Sequence, residues 1–275
     1  MPIPTTTRSQ ATPRTRFVAP PFAAALPPEP QVDEQHAASR QIAQTLALIA
    51  AALPVQRRMV HAGESLYRAG APFANLHILN SGFVKIVNTA PDGREQVVGL
   101  KFRGDWLGFD GIAGGDYTCD AVAMDIGEVW VVRYEAMLAA CVGQRALMNV
   151  LHEAMSREIA RDRDSMMSLC TLPADARVAE FLHYWVDSLA RRGMRTDRIA
   201  LRMTRAEIGN YLGMTLETVS RALSRLARDE VIGFATKGRR EVSVPCAAAL
   251  SAFVQRCLAP AGTAARLCAA PPVLQ

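Results

Sequence analysis

No apolar run in this chain reaches the ~18 residues that a membrane span requires. The strongest candidate, Ile42 to Leu53, is short and interrupted by Gln44 and Thr45. Cysteine is sparse and unpaired in spacing: Cys119, Cys141, Cys170, Cys246, Cys257 and Cys268 lie far apart, and none precedes Cys119. That excludes a disulfide framework and points to reduced thiols in a cytosol. Catalytic signatures are missing too. The chain has no G-x-S-x-G, P-loop, G-x-G-x-x-G or H-E-x-x-H, so an enzyme is not expected. The N-terminus lacks the charged and then apolar layout of a secretory signal. It holds 8 of the 16 prolines within its first 30 residues, which predicts a disordered arm over residues 1 to 36. A formal net charge of +5 is too modest for a general polyanion binder. No internal repeat is present.

What the chain does have is a change of period along its length. Ala37 to Leu53 reads as an apolar helix stopped by Pro54. From there to about Arg133, short alternating segments such as Leu76-His77-Ile78-Leu79, Phe83 to Val87 and Glu128 to Val132 are punctuated by glycines. Turn signals this frequent, with Asp92-Gly93 as a hairpin signal, predict an antiparallel β-roll over 37–136. A proline-free run follows from about Tyr134 to Leu169 and predicts one or two helices, with 137–172 as a long helix. Leu172-Pro173 breaks it. A second domain is expected over 173–246, then a helix and tail over 247–275. The fold class is therefore α+β.

Residues 204 to 226, TRAEIGNYLGMTLETVSRALSRL, have the pattern of a helix-turn-helix. Ile208, Tyr211 and Leu212 face inward on the first helix, Gly213 supplies the turn, and Thr215 suits the N-cap of the second. Val219, Leu223 and Leu226 recur inward on that helix, whereas Glu217, Ser220 and Arg221 share another face near its N-terminus. An Arg there can donate to guanine O6 and N7, and a Glu can accept from cytosine N4. Val231 to Phe234 and Glu241 to Val244 then alternate like strands around the basic turn Lys237-Gly238-Arg239-Arg240. This reads as a hairpin wing whose cations, Lys237 and Arg239 among them, lie where phosphates would run. Residues 174–246 carry a net +4, which suits a sequence-specific DNA-binding module.

At these residues the chain resembles the winged helix-turn-helix of the bacterial Crp/Fnr regulators. The resemblance extends upstream through Ser81-Gly82 and Gly104-Asp105, over about residues 40 to 245. Its most specific stretch, IGNYLGMTLETVSR, looks like the Fnr branch. It implies that Glu217, Ser220 and Arg221 contact bases and that Arg205, Thr215 and Thr218 contact phosphates. Catabolite-activator proteins carry a base-reading Arg where this chain has Leu216. The implied half-site is thus TTGAT rather than TGTGA. The resemblance also implies a roll of the cyclic-nucleotide-binding type, RNA polymerase as a partner, and activation of genes for low-oxygen or stress metabolism.

In the long helix, Met148, Leu151, Met155, Ile159, Met166 and Leu169 follow spacings of three, four and seven, with Asp162 inside the seven. This a/d-like seam predicts a parallel homodimer helix. Asp162 would then face its mate, and in the family such a residue can tune the monomer–dimer equilibrium.

The effector is less legible. Cyclic-AMP binders place a Glu after the Gly-x-x-Gly turn and an Arg-Ser or Arg-Thr later. Here Phe109 follows Gly108, and the later positions fall near Tyr117-Thr118, so a cyclic phosphate would lack its guanidinium. An iron–sulfur cluster needs about four thiolates, and the N-terminal arm offers none. No cofactor is expected, and the regulator reads as effector-independent or tied to an unknown effector. The alternative is a haem- or thiol-based redox sensor of the same fold, with His61 or His77 on iron or Cys119 as the thiol. Asp116 and Asp120 beside Cys119 disfavour a thiolate there.

Overall fold

A computed structural model describes residues 32–234 and 241–259. The expected arm therefore falls mostly outside the described residues. Its last part does not: α1, Val32–Ala52, begins five residues before Ala37. Eight strands follow, namely β1 (Gln56–Val60), β2 (Ser65–Tyr67), β3 (Asn75–Ser81), β4 (Val84–Thr89), β5 (Glu95–Lys101), β6 (Trp106–Leu107), β7 (Asp120–Ala123) and β8 (Gly127–Arg133). They form two four-stranded sheets, ordered β1-β8-β3-β6 and β2-β7-β4-β5, with every pairing antiparallel. Asp92-Gly93 does sit in the β4–β5 turn, with Gly93 at φ 82°.

Alternation along β3 shows why the roll closes. Leu79 points between the sheets, where it joins Val60, Leu66, Val84, Leu107 and Val129. Leu76 and Ile78 point outward, under Leu46 and Ile49 of α1 and beside Trp130. Both faces of the strand are covered, so it reads as a continuous apolar run. The proline-free segment is two helices, α2 (Tyr134–Gly143) and α3 (Arg145–Thr171), with extended backbone at Gln144 between them. The long helix thus starts at Arg145 rather than at 137, because α2 belongs to the roll, where Met137 and Cys141 are buried.

After Pro173 come α4 (Ala174–Ala190), β9 (Arg198–Ala200), α5 (Arg205–Leu212), α6 (Leu216–Arg228), β10 (Gly233–Phe234), β11 (Glu241–Ser243) and α7 (Ala247–Leu258). The last three strands form one sheet, β10-β11-β9. The core of this C-terminal unit is continuous with the roll: Val87, Val97, Leu100 and Phe102 are in one buried cluster with Phe181, Leu182 and Trp185 of α4.

A buried ionic junction fixes this arrangement. Asp105 takes the Arg192 guanidinium at 2.9 Å and that of Arg161 at 3.5 Å. Its other oxygen accepts from the Phe102 N–H at 2.9 Å. Arg192 also donates to the Arg103 and Ser188 carbonyls, both at 2.7 Å, and Lys101 pairs with Glu158. Burial by itself would raise the Asp105 pKa, but Arg192, Arg161 and Lys101 hold it below the usual carboxylate range. A group with a depressed folded pKa contributes stability above its unfolded value, about 3.9, and loses it as pH falls through the folded one. Asp105→Ala leaves two guanidinium groups poorly compensated and is expected to cost about 3–5 kcal/mol at neutral pH. Urea unfolding across pH checks this, with the gap to wild type narrowing below about pH 4.

Candidate nucleic-acid interface

The two helices that matter are cut to length by their caps. Thr204 and Glu207 form a reciprocal capping box at the start of α5: the Glu207 N–H donates to Thr204 Oγ1 at 3.2 Å, and the Thr204 N–H to Glu207 Oε2 at 2.7 Å. Gly213 ends α5 at φ 61°, the left-handed geometry that glycine adopts without strain. Thr215 then caps α6, accepting from the Thr218 N–H at 3.3 Å.

The amphipathic split of α6 makes the reading surface. Val219, Ala222, Leu223 and Leu226 are buried against α4 and α5. Glu217 and Arg221 are exposed at the N-terminal end, and Ser220 is half-buried beside them. Leu216 is 44 % exposed on the same end. The backbone N–H of Glu217 and the Thr215 hydroxyl hold the Glu217 carboxyl below its usual range, so it is an acceptor at neutral pH. Arg221 donates from Nη2 to Thr218 Oγ1 at 3.3 Å. An exposed acceptor and an exposed guanidinium one helical turn apart, on a helix whose back is fixed in the core, can meet base edges in a major groove.

Of the residues expected to contact phosphates, Thr215, Thr218 and Arg205 lie around this surface. Thr215 and Thr218 join hydroxyls at 3.2 Å at the α6 N-terminus. Arg205 opens α5 with its guanidinium 5.7 Å from the Phe234 ring, at the root of the hairpin. Lys237 and Arg239 lie outside the described residues. Among the described residues β10 and β11 pair at Gly233–Ser243 and Phe234–Val242, and β9 joins β11 as a third strand. Sequence reasoning missed two residues. Gly209 is buried where an added Cβ would stand 2.6 Å from the Met214 carbonyl. Asn210 bonds the roll with its carboxamide. The capping box was present in the sequence as Thr204-x-x-Glu207; Asn210 had no local signal.

The sequence families that match this chain are a Crp-like helix-turn-helix domain over residues 176–253 and a cyclic nucleotide-binding domain over 57–144. The fumarate and nitrate reduction regulatory protein of Escherichia coli K12 is 32% identical over 184 residues, covering 67% of this chain and 73% of that protein. Its namesake in Vibrio cholerae is 31% identical over 177 residues, covering 64% and 71%. The chain belongs to the Crp/Fnr family, on its Fnr branch. It is accordingly a DNA-binding transcription regulator, and the family is not one of enzymes. Among solved structures, FixK2 from Bradyrhizobium japonicum superposes with a TM-score of 0.65 at 28% identity, over 73% of this chain and 97% of that one. A transcriptional regulator of the CRP family from Thermus thermophilus shares the fold at 23% identity, with a TM-score of 0.60 over 72% and 96%.

The roll of this Crp/Fnr protein does not fit a cyclic nucleotide. Phe109 is in a single 3₁₀ turn, stacked on Trp106. Tyr117 is buried and spends its hydroxyl on the Asn75 carbonyl at 2.7 Å. Three donors of the loop are already taken by a carboxylate of the chain: Asp110 Oδ2 accepts from Thr118 N at 2.8 Å, Thr118 Oγ1 at 3.1 Å and Cys119 N at 3.2 Å. An anionic phosphate would meet Asp110 instead of free donors. Burial pushes the Cys119 thiol up, and Asp110, Asp120 and Asp162 add to the shift, which disfavours a reactive thiolate. His61 is exposed and 3.7 Å from Glu64. His77 is buried against Tyr67, and that burial lowers its pKa to about 4. The five described cysteines are spread over the loop, α2, α3 and α7 or its cap, and no three His, Cys, Asp or Glu residues among the described ones gather as a metal site.

Gly209 and Gly213 separate two ways of damaging the turn. Gly213→Ala strains φ alone and is expected to cost about 1–2 kcal/mol while leaving the reading surface in place. Gly209→Ala must displace the Met214–Thr215 backbone that sets α6, so DNA affinity should fall out of proportion to stability. Thermal unfolding and duplex binding of both variants check this. Wild-type binding by Gly209→Ala would contradict it.

Proposed function

We propose that this regulator is a cytoplasmic homodimer that reads inverted TTGAT half-sites and activates genes of low-oxygen or stress metabolism through RNA polymerase. The observation that carries the reading is the exposed Glu217–Arg221 pair on a helix packed from behind by Val219, Leu223 and Leu226. Glu217, Ser220 and Arg221 contact bases; Arg205, Thr215, Thr218, Lys237 and Arg239 hold phosphates. Leu216 offers no donor to a guanine, which favours TTGAT over TGTGA. The physiological theme follows from the relatives named for fumarate and nitrate reduction. No helix among the described residues is long and apolar enough to cross a membrane. The cytoplasmic placement rests on the DNA target.

The dimer rests on α3. Met148, Ile159, Met166 and Leu169 are 40, 49, 67 and 39 % exposed in the protomer, and Met167 is 44 % exposed, a costly display for one helix unless a partner covers it. Leu151 departs from the expected seam. It is 6 % exposed, packed in the cluster that holds Leu46 and Ile49, because the N-terminal half of α3 leans on the roll. Met155 is half-buried against the same cluster. The proposed seam is therefore Met148, Met155, Ile159, Met166 and Leu169, with exposed Asp162 meeting its mate. Two copies place two recognition helices on one duplex, which one module cannot do.

Arg221→Ala is expected to cost about 1–3 kcal/mol per TTGAT half-site and to relax discrimination at its guanine. Arg205→Ala should weaken all duplexes alike and flatten the salt dependence. Titrations of specific and random duplexes across salt decide the assignment. Equal loss on both duplexes for both variants would reject it.

A further inference from the structure

The roll holds the helix-turn-helix with polar contacts that lie away from the reading surface. β5 is the outer strand of its sheet, and an outer strand presents unpaired backbone groups. Here the Val97 N–H donates to Asn210 Oδ1 at 2.5 Å and Asn210 Nδ2 donates to the Glu95 carbonyl at 2.6 Å. One side-chain amide thus stands where the peptide group of a further strand would be. Gln96 Nε2 donates to the Asn210 carbonyl, and Lys85 Nζ meets Glu207 Oε1 at 2.5 Å. Glu207 and Asn210 are three residues apart on α5, so one face of that helix carries all four of these bonds.

Apolar packing lies beneath these bonds. Phe83 stacks on Trp185 with centroids 5.7 Å apart, and Phe102 meets Trp185 edge-on at 5.3 Å. Arg202 pairs with Asp125 of the roll at 3.0 Å. Two domains joined by a polar patch alone would be expected to move relative to one another; a shared hydrophobic core restrains them. Apolar packing sets distance, whereas the directional bonds to Asn210 and Glu207 set angle. Glu217 and Arg221 stay exposed in this arrangement, so the attachment leaves the reading surface uncovered.

We propose that Lys85 and Gln96 of the β4–β5 hairpin, together with Asn210, are positioning residues for DNA reading. They fix the angle of α6 from inside the protomer, in the place of an effector. In a two-fold dimer a small angular error in each unit is felt at both half-sites together, so these residues govern binding to paired half-sites and not to one. This rests on the dimeric DNA-reading function proposed above.

The test uses full-length chain and duplexes that the wild type selects from a random pool, so it does not presuppose TTGAT. Binding of Lys85→Ala/Gln96→Ala and of Asn210→Ala is compared on selected duplexes carrying two half-sites and on the same duplexes cut to one. The expected result is at least tenfold weaker binding to paired sites, unchanged binding to single sites, and unchanged circular dichroism. Lys85→Arg should retain wild-type binding, because it keeps a cation opposite Glu207. Variants that track the wild type on paired sites, or bind them more tightly, would overturn the proposal. So would equal losses on paired and single sites. A wild type that selects sequences unrelated to TTGAT would instead sink the half-site assignment and leave the comparison of variants intact.

Discussion

Asp105 carries a negative charge largely withdrawn from water, its side chain 13 % exposed, and such a charge is tolerated only where its partners are close and well oriented. Its two guanidinium partners arrive from different elements, Arg161 from α3 and Arg192 from the turn that ends α4. Neither helix can rotate or slide without uncovering the carboxylate, so this one group ties the roll, the long helix and the DNA-binding unit to a common origin. Lys101 and Glu158 repeat the tie between roll and α3, and Arg192 lies over the Phe102 ring at 5.0 Å. The apolar cluster around Trp185 fills the space between these ionic contacts.

From that frame the chemistry of reading follows with few further requirements. α6 is fixed from behind by α4 and α5, and its free end leaves an acceptor, Glu217, and a guanidinium, Arg221, exposed. In the roll, Asp110 occupies the donors of Thr118 and Cys119, and Phe109 stacks on Trp106.

Much of this was legible in the sequence. The recognition helix was plain because Val219, Leu223 and Leu226 keep helical spacing while Glu217, Ser220 and Arg221 break it on one face. The roll showed through alternating apolar residues and frequent glycines. β9 was not legible: the three residues Arg198-Ile199-Ala200 are too few to show a period, and pairing with β11 makes them a strand. Leu151 fitted the heptad seam as well as Met148 does, but spacing along one helix does not say which neighbour a side chain meets, and the roll took it. Asn210, Lys85 and Gln96 are polar residues 114 positions apart in the case of Gln96 and Asn210, so their contact belongs to tertiary structure alone. The arm, the wing tip with Lys237 and Arg239, and the tail lie outside the described residues.

In the proposed reading, two copies of this chain bind two inverted TTGAT half-sites as one object. The most direct measurement is the affinity and stoichiometry of the wild type on duplexes carrying inverted TTGAT repeats at systematically varied separation. A sharp optimum is predicted where the half-site centres lie about one helical turn, roughly 10–10.5 base pairs, apart, with two chains bound per duplex. Affinity independent of separation, with one chain per duplex, would contradict it.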